Sequence, residues 1–176
     1  MKRHFLIKNV LFLIGLLNVF GLFAQERLQI DLSSSPWSIT LDEKAEWKND
    51  KLYLPPVDLK QLPVNIPTGG WQLLDTPDKE NVNLPATVEG HLWARRGDTF
   101  GVNGNYVGVS WFTTKVFIPR EWEGKNIILK VGAVRFRAEV FVNRKLAGYD
   151  LVNSTPFDIN LTKYLMSGAE NEIAFR

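Results

Sequence analysis

The stretch that decides the fold is SWFTTKVFI, residues 110–118. Phe112, Val116 and Ile118 fall on one side of an extended chain, while Trp111, Thr113, Lys115 and Phe117 fall on the other. That period of two predicts a β-strand. The pattern recurs. Residues 126–131 set Ile127, Leu129 and Val131 against Ile128 and Lys130, and residues 137–143 set Ala138, Val140 and Val142 against Arg137, Glu139 and Phe141. Short alternating runs separated by turn residues predict an all-β antiparallel sandwich. Leu161 to Met166 is the one stretch that reads as a helical turn, capped by Asn160 or Thr162 and stopped at Gly168. No strand–helix–strand alternation, internal repeat or low-complexity tract interrupts this reading.

Upstream the signal weakens. Residues 27–40, RLQIDLSSSPWSIT, predict two short strands about the turn Ser33-Ser34-Ser35-Pro36. From residue 42 to 105, Pro55, Pro56, Pro63 and Pro67 and the pair Gly69-Gly70 punctuate long loops. Proline removes a ladder donor, and glycine permits a left-handed backbone. Trp47, Trp71 and Trp93 are placed to anchor those loops on a core. Long loops in a compact domain are more often functional than idle.

Residues 1–24 read as an address rather than a fold element. Met1-Lys2-Arg3 is a basic start, and Val10 to Ala24 is a nearly continuous apolar run that ends at a small residue before Gln25. The run holds 15 residues with Asn18 among them, short of the roughly 20 a spanning helix needs. The expectation is a signal peptide over 1–24, no stable membrane span, and one exported domain, periplasmic or extracellular, over 25–176. A retained anchor is the competing reading.

The whole chain carries 21 basic and 19 acidic residues. Lys2, Arg3 and Lys8 lie in the first 24 residues, which hold no acid, so the remainder has 18 bases against 19 acids. A nucleic-acid footprint needs a strong positive excess, so no nucleic-acid partner is expected. The absence of cysteine excludes disulfides, thiolate metal sites and thiol catalysis.

Catalytic constellations are sparse. His91 is the only histidine beyond residue 24, and no Gly-x-Ser-x-Gly elbow accompanies it. Clustered nitrogen or sulfur ligands for a transition metal are missing, and no glycine-rich phosphate loop joins a strand to a helix. Neither a metal nor any other cofactor is expected. Paired carboxylates remain a route to glycoside chemistry, with Glu89, Asp98 and Asp150 as the loop acids to examine first. Solvated surface charge is the better account of each.

Residues 82–176 resemble the N-terminal sugar-binding domain of family 2 glycoside hydrolases, the β-galactosidase, β-glucuronidase and β-mannosidase relatives. The matching elements occur in order: Val82-Asn83-Leu84-Pro85-Ala86-Thr87, Val109-Ser110-Trp111-Phe112, Phe117-Ile118-Pro119, Trp122-Glu123-Gly124-Lys125 and Gly132-Ala133-Val134. Then come Ala138 to Asn143, Ala147-Gly148-Tyr149 and Thr155-Pro156-Phe157-Asp158-Ile159. The family commonly has glycine after the asparagine at 143; here it is Arg144, which leaves the type of the tight turn open.

The resemblance implies a jelly-roll β-sandwich standing before an immunoglobulin-like domain and a catalytic (β/α) barrel. Both catalytic glutamates of the family lie on that barrel, so no catalytic residue is expected in this chain. Asn171-Glu172 looks like the family's catalytic pair but enters a strand, where a structural asparagine is expected. The last strand, Ile173 to Arg176, looks unfinished, and the family's closing strand is missing, which reads as a truncated or split chain with one open sheet edge. The implied function is a non-catalytic sugar-binding or scaffold domain of a secreted glycosidase, partnered by a β-glycoside or polysaccharide and a barrel encoded downstream. Candidate sugar contacts are Asp150 and Asn153 by hydrogen bonding, and Trp93 and Tyr149 by stacking. An autonomous carbohydrate-binding module and a cell-surface protein-interaction sandwich are the alternatives. Sugar retention abolished at Trp93 marks the first, and partner capture with no sugar effect marks the second.

Overall fold

The computed structural model describes residues 27–45, 58–61, 64–77, 79–91, 106 and 108–176. The chain divides into residues 1–30 and 31–176, and every described strand lies in the second unit. The stretch 1–24, together with Trp47, Trp93 and Asp98, lies outside the described residues.

Eight strands are described: β1 (Trp37–Asp42), β2 (Glu80–Val82), β3 (Val109–Ile118), β4 (Ile128–Val131), β5 (Ala138–Val142), β6 (Lys145–Asp150), β7 (Phe157–Asn160) and β8 (Ala169–Phe175). Six form one antiparallel sheet in the order β2-β1-β3-β8-β5-β6, and β4 and β7 pair as a second. The chain leaves the large sheet after β3, returns at β5, leaves again after β6 and returns at β8. As a result β8, last in sequence, sits centrally, with Phe112 opposite Phe175 on one flank and Val140 opposite Phe175 on the other.

The alternation read from the sequence is realised face by face. Trp37, Ile39, Val116, Ile118, Val140, Val142 and Ile173 turn inward and pack against Ile159, Leu161 and the half-buried Leu129 and Phe157 of the second layer. Gly148 permits a close approach between the layers. A Cβ there would meet Ile159 Cδ1 at 2.8 Å. Opposite Gly148 the β5–β6 register shifts between Val140 and Phe141, a bulge that leaves Ala147 inside the core.

The other face of the large sheet is also covered, which explains why all five residues of β5 are buried. Trp111, Phe141, Val109 and Ala174 form a second cluster under Leu74 and Trp71, from the 3-10 turn Trp71–Asp75. Trp71 stands edge-on to Trp111 and Phe141, with ring centroids 5.7 and 5.4 Å away. Two buried acids fasten this loop to the sheet. Asp42 Oδ2 accepts from the Thr68 N–H at 2.9 Å and from Trp111 Nε1 at 3.3 Å. Glu139 accepts from Asn65 Nδ2 at 2.6 Å and from Arg176 Nη1 at 3.0 Å. Of the tryptophans expected to anchor the loops, Trp71 does so.

Two local expectations need correction. Residues 27–32 form no strand, because the Asp31 carboxylate accepts from the Ser33 N–H and hydroxyl and curls the chain into a turn, leaving β1 alone. The long loop region contains a strand, β2, which pairs Val82 with Trp37. Residues 161–166 form the single helical turn expected. Leu161 O accepts from the N–H groups of Tyr164 at 2.9 Å and Leu165 at 3.2 Å, and Asn160 Oδ1 accepts from the Thr162 N–H. The Asn171 side chain then takes both backbone groups of Met166, so helical bonding stops there. The open hairpin question also resolves. Asn143 and Arg144 both adopt positive φ, 49° and 65°, the geometry of a type I′ turn, with arginine where glycine relieves strain.

Candidate functional site

Two loops meet at one end of the sandwich: residues 132–137, between β4 and β5, and 151–156, between β6 and β7. Ser154 N–H donates to Val134 O at 2.9 Å, and Phe136 N–H donates to Asn153 Oδ1 at 2.8 Å. Asn153 Oδ1 also accepts from the Ser154 hydroxyl. Asp150 Oδ2 accepts from the Val152 N–H at 2.9 Å, and the Thr155 hydroxyl donates to Val152 O. The tip is therefore cross-braced from both sides, and it holds two non-glycine residues in the left-handed region, Phe136 at φ 66° and Ser154 at φ 60°.

This geometry places the sequence candidates. Asp150 ends β6 half-buried and bends back to its own loop. Asn153 is exposed at the tip, with Oδ1 engaged as described. Tyr149 lies opposite Glu139 on the outer face of the sheet, and its hydroxyl is buried with no partner among the described residues. Trp93 lies outside the described residues; Tyr149, Asp150 and Asn153 lie within five positions of one another in sequence, with Tyr149 and Asp150 on opposite faces of β6.

Of the loop acids, Asp98 lies outside the described residues. Glu89 sits half-buried in the helical turn of residues 88–91, and Asp150 ends β6 on another element. His91 is exposed in that same turn. Among the described residues no group of three or more His, Cys, Asp or Glu could hold a metal ion, and no helix is long and apolar enough to cross a membrane.

The look-alike pair Asn171-Glu172 occupies a structural position. Asn171 is only 1% exposed and spends its side chain on Met166 N and O, Ala169 O and Asn143 Nδ2. Glu172 lies 3.7 Å from Arg144 Nε.

What sequence reasoning missed is the aromatic at the tip. Phe136 is 67% exposed, and the Arg135 guanidinium lies 5.1 Å from its ring centroid. The signal available was the run Arg135-Phe136-Arg137 between a Gly-Ala turn and an alternating strand. Its left-handed backbone carries no mark in residue type.

No protein-family model matches the chain. Curated relatives do. The β-glucuronidase of Formosa agariphila is 25% identical over 113 residues, which is 64% of this chain and 11% of that protein. The β-glucuronidase of Bacteroides fragilis is 27% identical over 99 residues, 56% of this chain and 14% of that protein. Among solved structures, the β-glucuronidase of Ruminococcus gnavus superposes with a TM-score of 0.54 at 18% identity, over 80% of this chain and 20% of that one. The chain is similar to part of a family 2 β-glucuronidase. It spans between about a tenth and a fifth of the length of the β-glucuronidases it matches. The all-β, antiparallel architecture is shared with these β-glucuronidase neighbours. The R. gnavus β-glucuronidase has been solved in complex with D-glucuronic acid.

Proposed function

We propose that this chain is a non-catalytic, carbohydrate-binding domain of an exported family 2 glycoside hydrolase, a jelly-roll sandwich that supports a catalytic barrel outside the chain. The observation that carries the reading is the match of most of this chain to a small share of each relative, 64% against 11% for the F. agariphila β-glucuronidase. That ratio is what one accessory module of a multi-domain enzyme produces. The strand order supports it, because two excursions to a second layer give a two-sheet body with loops at its ends, where sandwich domains commonly bind. Asp150, Asn153 and Tyr149, with Trp93, are the proposed sugar contacts, and residues 1–24 are the proposed export signal.

The test uses the purified chain in two assays. Incubation with nitrophenyl β-D-glucuronide should release no nitrophenol, and titration with a glucuronate-containing oligosaccharide should give saturable NMR shift changes. Turnover by the chain alone removes the non-catalytic assignment. A flat titration removes the binding role. N-terminal sequencing of protein recovered outside the cytoplasm should begin at Gln25.

A further inference from the structure

We infer that residues 64–68 form a hinged strap on the outer face of the large sheet, one that lifts about Gly69-Gly70 while both sheets and residues 71–75 stay in place. The strap lies on the face away from the β4–β7 layer, and its motion is independent of the carbohydrate reading.

The segment from 64 to 77 has two halves with different fastenings. Residues 71–75 are held by apolar packing: Leu74 is buried with Val109, Trp111, Phe141 and Ala174, and Trp71 packs against that cluster. Arg144 adds an ion pair to Asp75 at 3.0 Å. Residues 64–68 form no ladder with the sheet, and their side chains alternate. Val64 and Ile66 stand in water, while Asn65 reaches inward and Pro67 is fully buried. Polar clasps tie this half down: Asn65 Nδ2 donates to Glu139 Oε1 at 2.6 Å, and the Thr68 N–H donates to Asp42 Oδ2 at 2.9 Å. Each acid also has a donor within the sheet, Arg176 Nη1 for Glu139 and Trp111 Nε1 for Asp42. Both carboxylates therefore stay bonded when the strap leaves, and water replaces the strap's two donors. A segment held in this way opens more readily than a strand held by a ladder.

The joint between the halves suits a hinge. Gly69 and Gly70 both sit at positive φ, 82° and 101°. Pro67 O accepts from the Gly70 N–H at 2.9 Å, and Gly70 O accepts from the Leu73 N–H at 3.1 Å, so one turn ends and the next begins at Gly70. Beyond its chain neighbours, no heavy atom lies within 4 Å of where a Gly69 Cβ would stand, so glycine serves there for its backbone rather than for space. The closed form also carries a cost near each clasp. Tyr149 stands opposite Glu139, and Thr40 lies two residues before Asp42 on the same face of β1; the hydroxyl of each is buried with no partner among the described residues. Water admitted as the strap lifts satisfies such groups, which offsets part of what the clasps lose. The outer face thus has a closed form and an open one, in which Asp42, Glu139 and the Trp111 N–H meet solvent.

Amide hydrogen exchange of the purified chain, followed by NMR at urea concentrations below the unfolding transition, tests this. The Thr68 N–H should exchange roughly a hundredfold or more faster than the Ile173 and Ala174 amides of β8, at a rate that urea barely changes, because local opening exposes little surface. The Leu73 N–H, beyond the hinge, should exchange about tenfold or more slower than that of Thr68. Asn65→Ala should speed Thr68 exchange about fivefold or more, since releasing one clasp eases a shared lifting, and should leave Leu73 and β8 unchanged. Unchanged β8 protection also shows that the variant is folded. Thr68 exchange that follows the β8 amides along the same urea slope overturns the inference, as does exchange at the rate of an unstructured peptide. Equal rates at Thr68 and Leu73 overturn the hinge, and a Thr68 rate unmoved by Asn65→Ala overturns the strap as a unit.

Discussion

Replacing Asn171 is the most informative test of what holds this domain together. The side chain is 1% exposed and makes four hydrogen bonds. Nδ2 donates to Met166 O at 2.9 Å and Ala169 O at 3.0 Å; Oδ1 accepts from Met166 N at 2.8 Å and Asn143 Nδ2 at 2.8 Å. Asn143 in turn donates to Tyr164 O and accepts from the Glu172 N–H, so one amide links the β7–β8 turn to the β5–β6 hairpin. Asn171→Leu keeps the volume and strands these partners. At about 1–3 kcal/mol for each buried group left unpaired, and with the Met166 backbone near solvent, the loss is roughly 3 kcal/mol. With a urea slope near 2 kcal/mol/M, the unfolding midpoint followed by tryptophan fluorescence should fall by about 1.5 M. Asn171→Asp separates hydrogen bonding from packing. Its second oxygen faces two carbonyls and is tolerated only when protonated, so the folded pKa lies above the unfolded value of about 3.9. The sign follows: the variant approaches wild type below about pH 4 and loses stability as pH rises through its folded pKa. A midpoint deficit for Asn171→Asp that stays flat from pH 4 to 7, or an Asn171→Leu shift under 0.3 M, refutes the reasoning.

The remaining expectations are narrower. Arg144 occupies a left-handed position (φ 65°) while meeting Asp75 at 3.0 Å and Glu172 at 3.7 Å; Arg144→Gly should therefore be about 1 kcal/mol more stable in chemical unfolding than Arg144→Ala, which keeps the strain and loses the same pairs. Gly148→Ala drives a methyl to within 3 Å of the buried Ile159 side chain and should cost about 1–3 kcal/mol, partly restored by Ile159→Val. Asp42→Ala frees the Thr68 N–H and Trp111 Nε1, so limited proteolysis within residues 64–77 should accelerate severalfold while the two-sheet body stays intact. The Asp31 carboxyl is held below its ordinary 3.8 first by the Ser33 hydroxyl and then by the Ser33 N–H. The turn it closes is therefore supported above that pH and released as pH falls through the folded value, and Ser33→Ala should raise the Asp31 titration midpoint seen by NMR.

How far the sequence could be read follows from what each signal encodes. The faces of β3 and β5 were legible because period-two burial is a property of residue type: Trp111 and Phe141 meet on one side, Val116 and Val140 on the other, as the alternation requires. The Leu161–Met166 turn was legible from its spacing and its Asn160 cap, while the group that ends it, Asn171, arrives from a strand whose approach no local pattern announces. β2 was invisible for a related reason. Three residues carry too little periodicity, and β2 is specified by its partner, with Val82 set against Trp37. The tip is the sharper case. Asp150 and Asn153 were legible as polar loop residues, but composition does not reveal that Asp150 Oδ2 and Asn153 Oδ1 turn to backbone N–H groups. Phe136 shows the converse. Its residue type predicts burial, and it stands in water because a side chain seventeen positions away fixes its amide. Backbone conformation imposed by tertiary bonding carries no local sequence signature, so the features that distinguish this sandwich as a candidate binder sit where residue patterns are least informative.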